Sequence, residues 1–270
     1  MAWTTTNKAA TCRASTHLAI DLAIIGGTGL YKLAAMESVE TLEGETVFGT
    51  PSAPVRVGFI AGRRIAFMAR HGEGHSVPPH QVNYRANLRR LVDLGVKRVL
   101  AINAVGGITP ACGPRVIAVP DQIIDYTWGR ISTICEAPGT PVLHVDFGEP
   151  YTPSLRAAVL RAATGAGIAV LDGGCYGATQ GPRLETRAEI ARMRRDGCDL
   201  VGMTGMPEAG LAREMQLDYA CLALVANWAA GCGVEALGEP APEITLDEVL
   251  ANVEAATADL PRLLEALLQE

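Results

Sequence analysis

Short apolar runs that stop at glycines or polar residues predict a set of buried strands. LAIDLAIIGGTGL, at residues 18–30, is such a run, and its glycines end it in a tight turn. VRVGFIAGRRIAFMAR alternates apolar and polar residues on both sides of Ala61-Gly62-Arg63, which predicts a β-hairpin with Arg70 and His71 at its exit. Four further runs predict strands: RVLAINAV, IAVLDG, DLVGM and YACLALVAN.

Amphipathic segments with helical spacing separate these strands. One covers residues 81–94 and is closed by Gly95 as its C-cap. The other predicted helices lie near 153–164, near 186–195, from Pro207, and from Thr245, which forms a capping box with Glu248. Helices of this length between short strands predict an α/β fold, a single-domain α/β/α sandwich whose sheet is covered on both faces.

Composition narrows the class of protein. The chain has 270 residues, of which 49% are apolar and 19% charged, enough for one large domain that we place at residues 18–270. Residues 1–17 are polar and are interpreted as a disordered leader or extension. The net charge of -6 argues against nucleic acid as a partner, and no apolar run is long enough to span a membrane. Seven cysteines without a C-x-x-C pair favour free thiols, so we expect a cytoplasmic protein.

Polar residues follow several predicted strands, where an open α/β sheet binds its ligands. Thr28 lies in the first glycine turn, and Arg70 and His71 follow the hairpin. Asn103 follows RVLAI, the apolar part of its run, and Thr204 follows a later strand. Glycine turns expose backbone N–H groups, a guanidinium suits bidentate contact with phosphate, and hydroxyls and an imidazole add donors. We expect no carboxylate cluster to compensate these donors. Together they predict a cradle for an oxyanion.

Each residue of this cradle also has a simpler structural explanation when it is taken alone. Gly-Gly-Thr-Gly could be a plain turn, and Asn103 a turn former. Thr204 could be a helix N-cap, and Arg70 a member of a surface ion pair. Their coincidence at the strand ends of one predicted sheet favours the anion site.

Three other classes of site fit the sequence poorly. A dinucleotide fingerprint that begins at Gly27 needs a third glycine where Lys32 stands. The histidines His71, His75 and His80 have spacings that match no common zinc signature, so we expect no bound metal. No G-x-S-x-G elbow is present, which argues against a serine hydrolase.

Six motifs occur in order along the chain: IIGGTGLY, ARHGEGHSVPPHQVNYRAN, INAVGGI, VPDQIIDYT, QGPRLETRAE and VGMTGMPEAGLARE. Together they resemble the trimeric purine nucleoside phosphorylase and methylthioadenosine phosphorylase family, from about Ile20 to Ala255. The resemblance implies the nucleoside phosphorylase fold, with a central mixed, largely parallel sheet. It implies that phosphate attacks an oxocarbenium-like sugar, as a co-substrate and without any cofactor. It also implies a homotrimer, with a hexamer as the alternative.

The resemblance assigns the cradle to phosphate and adds positions for the nucleoside. It implies a phosphate site made of Thr28, Arg70, His71, the Ala104 backbone and Thr204, with Asn103 beside them. Met203 would lie against the ribose. Glu185, its neighbour Leu184, and Asn227 would lie at the purine. Asn227, Glu185 and His71 are the expected catalytic residues.

The positions at the purine favour a 6-oxopurine. Adenine-specific members of the family carry a serine after a GPRF motif and two aspartates after the last strand, whereas this chain has Glu185 and Asn227, with Ala229 at the second aspartate position. The Glu185 carboxylate accepts from N1–H, which adenine lacks, and the Asn227 amide can donate to O6 and serve N7. As a simpler explanation, Glu185 could be a charged helix start.

The positions at the sugar favour a methylthio group. The 6-oxopurine members place a histidine on the 5′-hydroxyl, but no histidine follows His144 in this chain. Leu246 and Leu250 occupy the corresponding region and suit an apolar pocket, although their spacing also fits core-facing helix positions. His144 resembles a residue that family trimers insert into the neighbouring subunit's sugar pocket.

The expected reaction is therefore phosphorolysis of S-methyl-5′-thioinosine to hypoxanthine and methylthioribose-1-phosphate. A methylthioadenosine phosphorylase, a nucleoside hydrolase and a catalytically silent nucleoside-binding protein on the same scaffold are the alternatives.

Overall fold

The computed structural model describes residues 19–30, 33, 35–233 and 243–270, so the expected leader at 1–17 lies outside the described residues. The strands are β1 (Leu22–Gly26), β2 (Glu37–Leu42), β3 (Val55–Ile60), β4 (Arg63–Ala69), β5 (Arg98–Gly107), β6 (Ile117–Val119), β7 (Gln122–Asp125), β8 (Leu171–Asp172), β9 (Cys175–Ala178), β10 (Leu200–Gly202) and β11 (Asp218–Trp228). The helices are α1 (Tyr84–Asp93), α2 (Pro153–Gly165), α3 (Arg187–Arg195), α4 (Gly205–Glu214), α5 (Leu246–Thr257) and α6 (Leu260–Leu267).

These strands form one mixed sheet around β5. On one side β5 is parallel to β1, which is followed by β4, β3 and β2; on the other side it is parallel to β11, which leads to β6 and β8. β10 pairs antiparallel with the end of β5 and continues to β9 and β7. Among the described strands, six of ten pairings are parallel, which confirms the mixed, largely parallel sheet.

β5 changes its neighbour in the middle. Its pairing with β1 ends at Ile102 and its pairing with β10 begins at Gly106, while β11 accompanies the whole strand on the opposite side. Within the described chain, residues 103–105 therefore have no strand partner on the side of β1 and β10. Polar backbone groups left unpaired in this way are available to a ligand.

Helices cover both faces of the sheet, which confirms the α/β/α sandwich. α2, α5 and α6 pack on the face that includes Ile24, Leu100 and Leu222. α1 and α4 pack on the opposite face, which includes Ile25 and Ala101. Neighbouring residues of one strand point to opposite faces, so both sides of β1 and β5 are buried, as their continuous apolar sequences predict.

Most predicted elements are present with shifted ends. The hairpin of β3 and β4 turns at Ala61 and Gly62, where φ is positive at both residues (48° and 75°), as a two-residue turn requires. α1 begins at Tyr84 rather than at residue 81, because the Asn83 side chain caps it by accepting from Ala86 N–H. The segment IAVLDG contains only the two-residue strand β8.

The C-terminal segment that begins at Thr245 forms two helices, α5 and α6, rather than one. At the start of α5 the Thr245 side chain accepts from the Glu248 N–H, which is one half of the predicted capping box. No helix within the described ranges is both long and apolar enough to cross a membrane.

Candidate active site

One cavity lies where the strands of the parallel part of the sheet end. β1, β4, β5 and β11 run in the same direction, so the residues near their carboxyl ends meet at one edge. β10 reaches the same place from the opposite direction. The cavity is lined by ten of the residues expected at the site: Thr28, Arg70, His71, Asn103, Ala104, Leu184, Glu185, Met203, Thr204 and Asn227.

Arg70 forms the floor of this cavity and is fully buried. Its guanidinium makes a bidentate pair with Glu208, with Nε donating to Oε2 at 2.7 Å and Nη2 donating to Oε1 at 2.8 Å. Tyr219 also donates its hydroxyl to Glu208, at 2.8 Å. Burial opposes the charge of the guanidinium, but the ion pair with Glu208 outweighs it and raises the pKa of Arg70.

Glu208 corrects the expectation that no carboxylate compensates the donors of the cradle. It comes from α4 and is itself fully buried, so the pair neutralises Arg70 inside the protein. The Nη1 atom of Arg70 donates to the Ile102 carbonyl at 3.2 Å. Nη1 also lies so close under Gly27 that a Cβ there would be 3.1 Å from it and 2.9 Å from the same carbonyl. Only glycine lets the turn approach the guanidinium this closely.

Asn103 connects Arg70 to Thr204 and so fixes the direction of a hydroxyl. Its side-chain oxygen accepts from Arg70 at 3.2 Å, which leaves its amide N–H to donate to Thr204 Oγ1 at 2.9 Å. Because Thr204 accepts this bond, its own hydroxyl hydrogen can point into the cavity. Asn103 is inside β5, not after it as the sequence predicts, and it lies where β5 leaves β1.

His71 has a neutral ring at pH 7. Burial, followed by the positive charge of Arg70, lowers its pKa to about 4. Nδ1 lies 2.9 Å from the Val77 carbonyl, and a neutral ring satisfies that carbonyl by carrying its proton on Nδ1. Nε2 then has a free lone pair, so it accepts a hydrogen bond from a protonated oxyanion, whereas the sequence predicts a donor.

The positions of His71 and His75 bear on the expectation that no metal is bound. The His75 ring lies against that of His71, with 4.4 Å between the ring centroids and an angle of 33° between the planes. Within the part of the chain that the structure describes, no group of three His, Cys, Asp or Glu side chains could hold a metal ion.

Glu185 and Asn227 lie in the same cavity as the cradle. Thr179 donates its hydroxyl to Glu185 Oε1 at 2.6 Å, which fixes the carboxylate and leaves Oε2 as a free acceptor. Asn227 follows an irregularity in the β11 ladder after Val225. One of its amide hydrogens is donated to the Trp228 carbonyl at 2.7 Å, so its oxygen and second N–H can face a ligand. A free carboxylate acceptor and an amide that both donates and accepts match the edge of a 6-oxopurine.

The expected sugar-pocket leucines lie elsewhere. Leu246 and Leu250 are 66% and 37% exposed and do not line the cavity, whereas Val249 and Ile244 do. The reason is the rotation of α5, which buries Val253.

That rotation is fixed by a hydrogen bond at the end of β11. Asn252 is buried and donates to the Ala226 carbonyl at 2.8 Å, and it accepts from Arg115 at 2.9 Å. His144 lies in the exposed segment before α2 and does not line the cavity of its own chain.

The sequence does not identify Thr179, Ile244 or Val249 as site residues, and the most consequential residue that it misses is Glu208. It is inside the motif VGMTGMPEAGLARE, in the first turn of a helix where an acidic residue usually faces solvent. Its place four residues after Thr204, on the face of α4 that also buries Ala212, is the signal that could have identified it.

Comparison with known proteins identifies the family. The model of the phosphorylase superfamily matches residues 21–269. A probable S-methyl-5′-thioinosine phosphorylase of Xanthomonas campestris pv. campestris is 65% identical over 248 residues, which cover 92% of this chain and 97% of that protein. The 6-oxopurine nucleoside phosphorylase of Pyrococcus furiosus is 42% identical over 252 residues, covering 91% of each chain.

Solved structures show the same fold. Methylthioadenosine phosphorylase from Schistosoma mansoni, in complex with adenine, superimposes with a TM-score of 0.86 and 30% identity, over 93% of this chain and 91% of that one. A methylthioadenosine phosphorylase from an Antarctic soil metagenomic library gives a TM-score of 0.83 and 35% identity, over 93% and 86% of the two chains.

Proposed function

This chain belongs to the phosphorylase superfamily, and from that premise we propose that it cleaves S-methyl-5′-thioinosine with inorganic phosphate. The C1′–N9 bond breaks and its electron pair goes to the purine, while a phosphate oxygen bonds to C1′. The products are hypoxanthine and methylthioribose-1-phosphate. Phosphate is a co-substrate, and the residues of the cavity perform the reaction without a cofactor.

The assignment of a phosphate site depends on the cradle at the strand ends. Thr28, Thr204 and the unpaired backbone around Ala104 donate to the anion, and His71 Nε2 accepts a hydrogen bond from its protonated oxygen. Arg70 lies below and is held by Glu208. Donors fixed before the substrate arrives stabilise the charge that develops between the anion and an oxocarbenium-like sugar, without reorganisation at the moment of reaction.

The single observation that carries the base assignment is the contact of Thr179 with Glu185. With Oε1 occupied at 2.6 Å, Oε2 is the free acceptor, and it suits the N1–H of hypoxanthine. Asn227 donates to O6 or N7 and so helps the purine leave with the electron pair. Adenine has no hydrogen on N1, so it would face the carboxylate with a lone pair.

The methylthio assignment rests on the sugar end of the cavity. Met203, Val249 and Ile244 form an apolar wall there, and the chain has no histidine after His144. The name of the Xanthomonas campestris relative agrees with both assignments, and that of the Pyrococcus furiosus relative agrees with the base assignment. Methylthioadenosine is the second candidate substrate, because structural neighbours are methylthioadenosine phosphorylases.

Product analysis tests the proposal. The purified protein is given phosphate with methylthioinosine or with methylthioadenosine, and the free base is identified by chromatography. We expect rapid hypoxanthine release that requires phosphate, and slow adenine release. Rapid adenine release with little hypoxanthine would contradict the base assignment, and base release without phosphate would indicate a hydrolase.

We further propose that the enzyme is a cytoplasmic homotrimer. The segment between β7 and α2 exposes Trp128, Ile131, Val142 and Leu143, and His144 lies among them. Exposed apolar residues grouped in this way are typical of a subunit interface. Sedimentation equilibrium would give the mass of the assembly, and a monomer at micromolar concentration would contradict the proposal.

A further inference from the structure

Arg130 lies outside the cavity lining, yet it touches two of the segments that build it. It follows β7 and is half-buried. Its guanidinium donates to the backbone carbonyls of Thr179 at 3.1 Å and Gln180 at 2.7 Å, and Nε donates to the Gln180 side-chain oxygen at 3.1 Å. These contacts hold the segment that leads to Glu185.

The same guanidinium holds the other side of the site. Nη1 donates to the Met203 carbonyl at 2.8 Å and to the Met206 carbonyl at 2.6 Å. Thr204, which belongs to the phosphate cradle, lies between these two residues. Tyr84 adds a longer contact at 3.4 Å and places its ring beneath the guanidinium. A single rigid fork therefore connects the base-reading segment 179–185 with the sugar and phosphate segment 203–206.

Arg130 also differs from Arg70 in whether a carboxylate neutralises its guanidinium. Glu208 neutralises Arg70, whereas no carboxylate among the described residues lies within 4.0 Å of the Arg130 guanidinium. Carbonyl oxygens satisfy its donors but do not cancel its charge. Arg130 is one of the groups that lower the pKa of His71, after burial, Arg70 and His75. Arg130 thus contributes positive potential to the anion end of the cavity.

We propose that Arg130 is a positioning residue that holds the base-reading and phosphate-binding segments in register and supplies positive charge to the phosphate site. This inference rests on the proposed function. It predicts that one substitution, outside the cavity, changes both the choice of base and the affinity for phosphate.

The test compares Arg130→Met with Arg130→Lys. Methionine removes all donors and the charge, whereas lysine keeps the charge but cannot reach all the carbonyls at once. Arg156→Met is the matched control. Arg156 also donates to backbone carbonyls, those of Val119 and Pro120 at 2.9 Å, and it pairs with Asp172 at 2.6 Å, but none of these residues lines the cavity.

For Arg130→Met we expect kcat to fall about a hundredfold, because misplacement of the reacting groups by about 1 Å has an effect of this size. The ratio of kcat/KM for methylthioinosine over methylthioadenosine should fall about tenfold, since Glu185 loses its fixed position. The KM for phosphate should rise severalfold in Arg130→Met and stay near the wild-type value in Arg130→Lys. The ratio of kcat/KM for methylthioinosine over methylthioadenosine, here called the base ratio, should fall in both variants. Arg156→Met should keep the wild-type kcat, base ratio and KM for phosphate.

Thermal unfolding shows whether each variant is folded. If Arg130→Met does not fold, the base ratio of Arg130→Lys decides. An unchanged base ratio in a folded variant would overturn the proposal, and so would a loss of activity shared with Arg156→Met. If the wild-type protein itself releases no base, the proposed function fails, and calorimetric binding of hypoxanthine and inorganic phosphate replaces turnover. Weaker binding of both to Arg130→Met would then support the role of Arg130, and equal binding would overturn it.

Discussion

The buried pair of Arg70 and Glu208 gives the sharpest quantitative prediction. Replacing Glu208 with glutamine keeps its size but removes its negative charge, so Arg70 remains buried without a counter-ion. Breaking a buried ion pair from one side costs about 3 to 5 kcal/mol. The Tyr219 hydroxyl still finds an acceptor in the glutamine oxygen, so we expect a loss near the lower end, about 3 kcal/mol in the free energy of unfolding.

Phosphate should recover part of this loss, since its negative charge then becomes the only counter-ion that reaches Arg70. At a hundredfold excess over Kd a ligand stabilises a folded protein by about 2.7 kcal/mol. The stabilisation by a fixed phosphate concentration should be larger in Glu208→Gln than in the wild type. Urea unfolding with and without phosphate measures both quantities.

Asp93→Asn is the control for this experiment. Asp93 pairs with Arg89 at 2.8 Å, a distance like that of the buried pair, but the Arg89 and Asp93 side chains are 42% and 32% exposed. An exposed pair contributes about 1 kcal/mol or less. If Glu208→Gln lost no more than Asp93→Asn, or gained no extra stability from phosphate, the view that Glu208 is the buried counter-ion of Arg70 would be refuted.

Three further predictions concern the base, the sugar and pH. Glu185→Gln should lower kcat/KM for methylthioinosine at least about a hundredfold, since the glutamine oxygen stays with the Thr179 hydroxyl and its NH2 group then faces N1–H, while methylthioadenosine turnover falls much less; initial rates with both nucleosides measure this. Val249→Ala should reduce the preference for methylthioinosine over inosine severalfold, whereas Leu246→Ala, at an exposed position, should not. His71 has a pKa of about 4 in the folded protein and 6.5 as its ordinary value, so the unfolded chain takes up its proton first. The free energy of unfolding should therefore fall as pH drops from 6.5 to 4, by up to about 3 kcal/mol, and denaturant unfolding of His71→Gln should lack this part of the pH dependence.

The strand ends of the fold could be predicted because their signal is local. Glycine turns and apolar runs determine where β1 and β4 end, and parallel strands bring Thr28, Arg70 and His71 to one edge. The strands β2, β6, β7 and β9 were not predicted. β6, β7 and β9 are runs of three or four residues, which carry little periodicity, and their pairing partners are distant in sequence. β2 is longer, but five of its six residues are exposed, so it shows no apolar pattern.

Glu208 and the leucines of α5 show where local patterns fail. Helical spacing identifies the apolar residues of α5, but it does not show which of them face the cavity. Asn252, through its bond to a β11 carbonyl, rotates α5 so that Val249 rather than Leu246 turns towards the cavity. Likewise, only the long-range pairing with Arg70 explains why Glu208 is buried. Both depend on contacts between different elements, because Arg70 and Glu208 are 138 residues apart and Asn252 and Ala226 are 26 apart.

The change of neighbour in the middle of β5 has a consequence for how the site can evolve. In the proposed reaction the backbone around Ala104 contacts phosphate, and this backbone is free because β1 has ended and β10 has not begun. The free backbone therefore depends on the lengths of β1 and β10 and not on any side chain. Descendant sequences could exchange residue 104 for other small residues and keep the anion contact, whereas lengthening β1 by two residues would close the gap and abolish it.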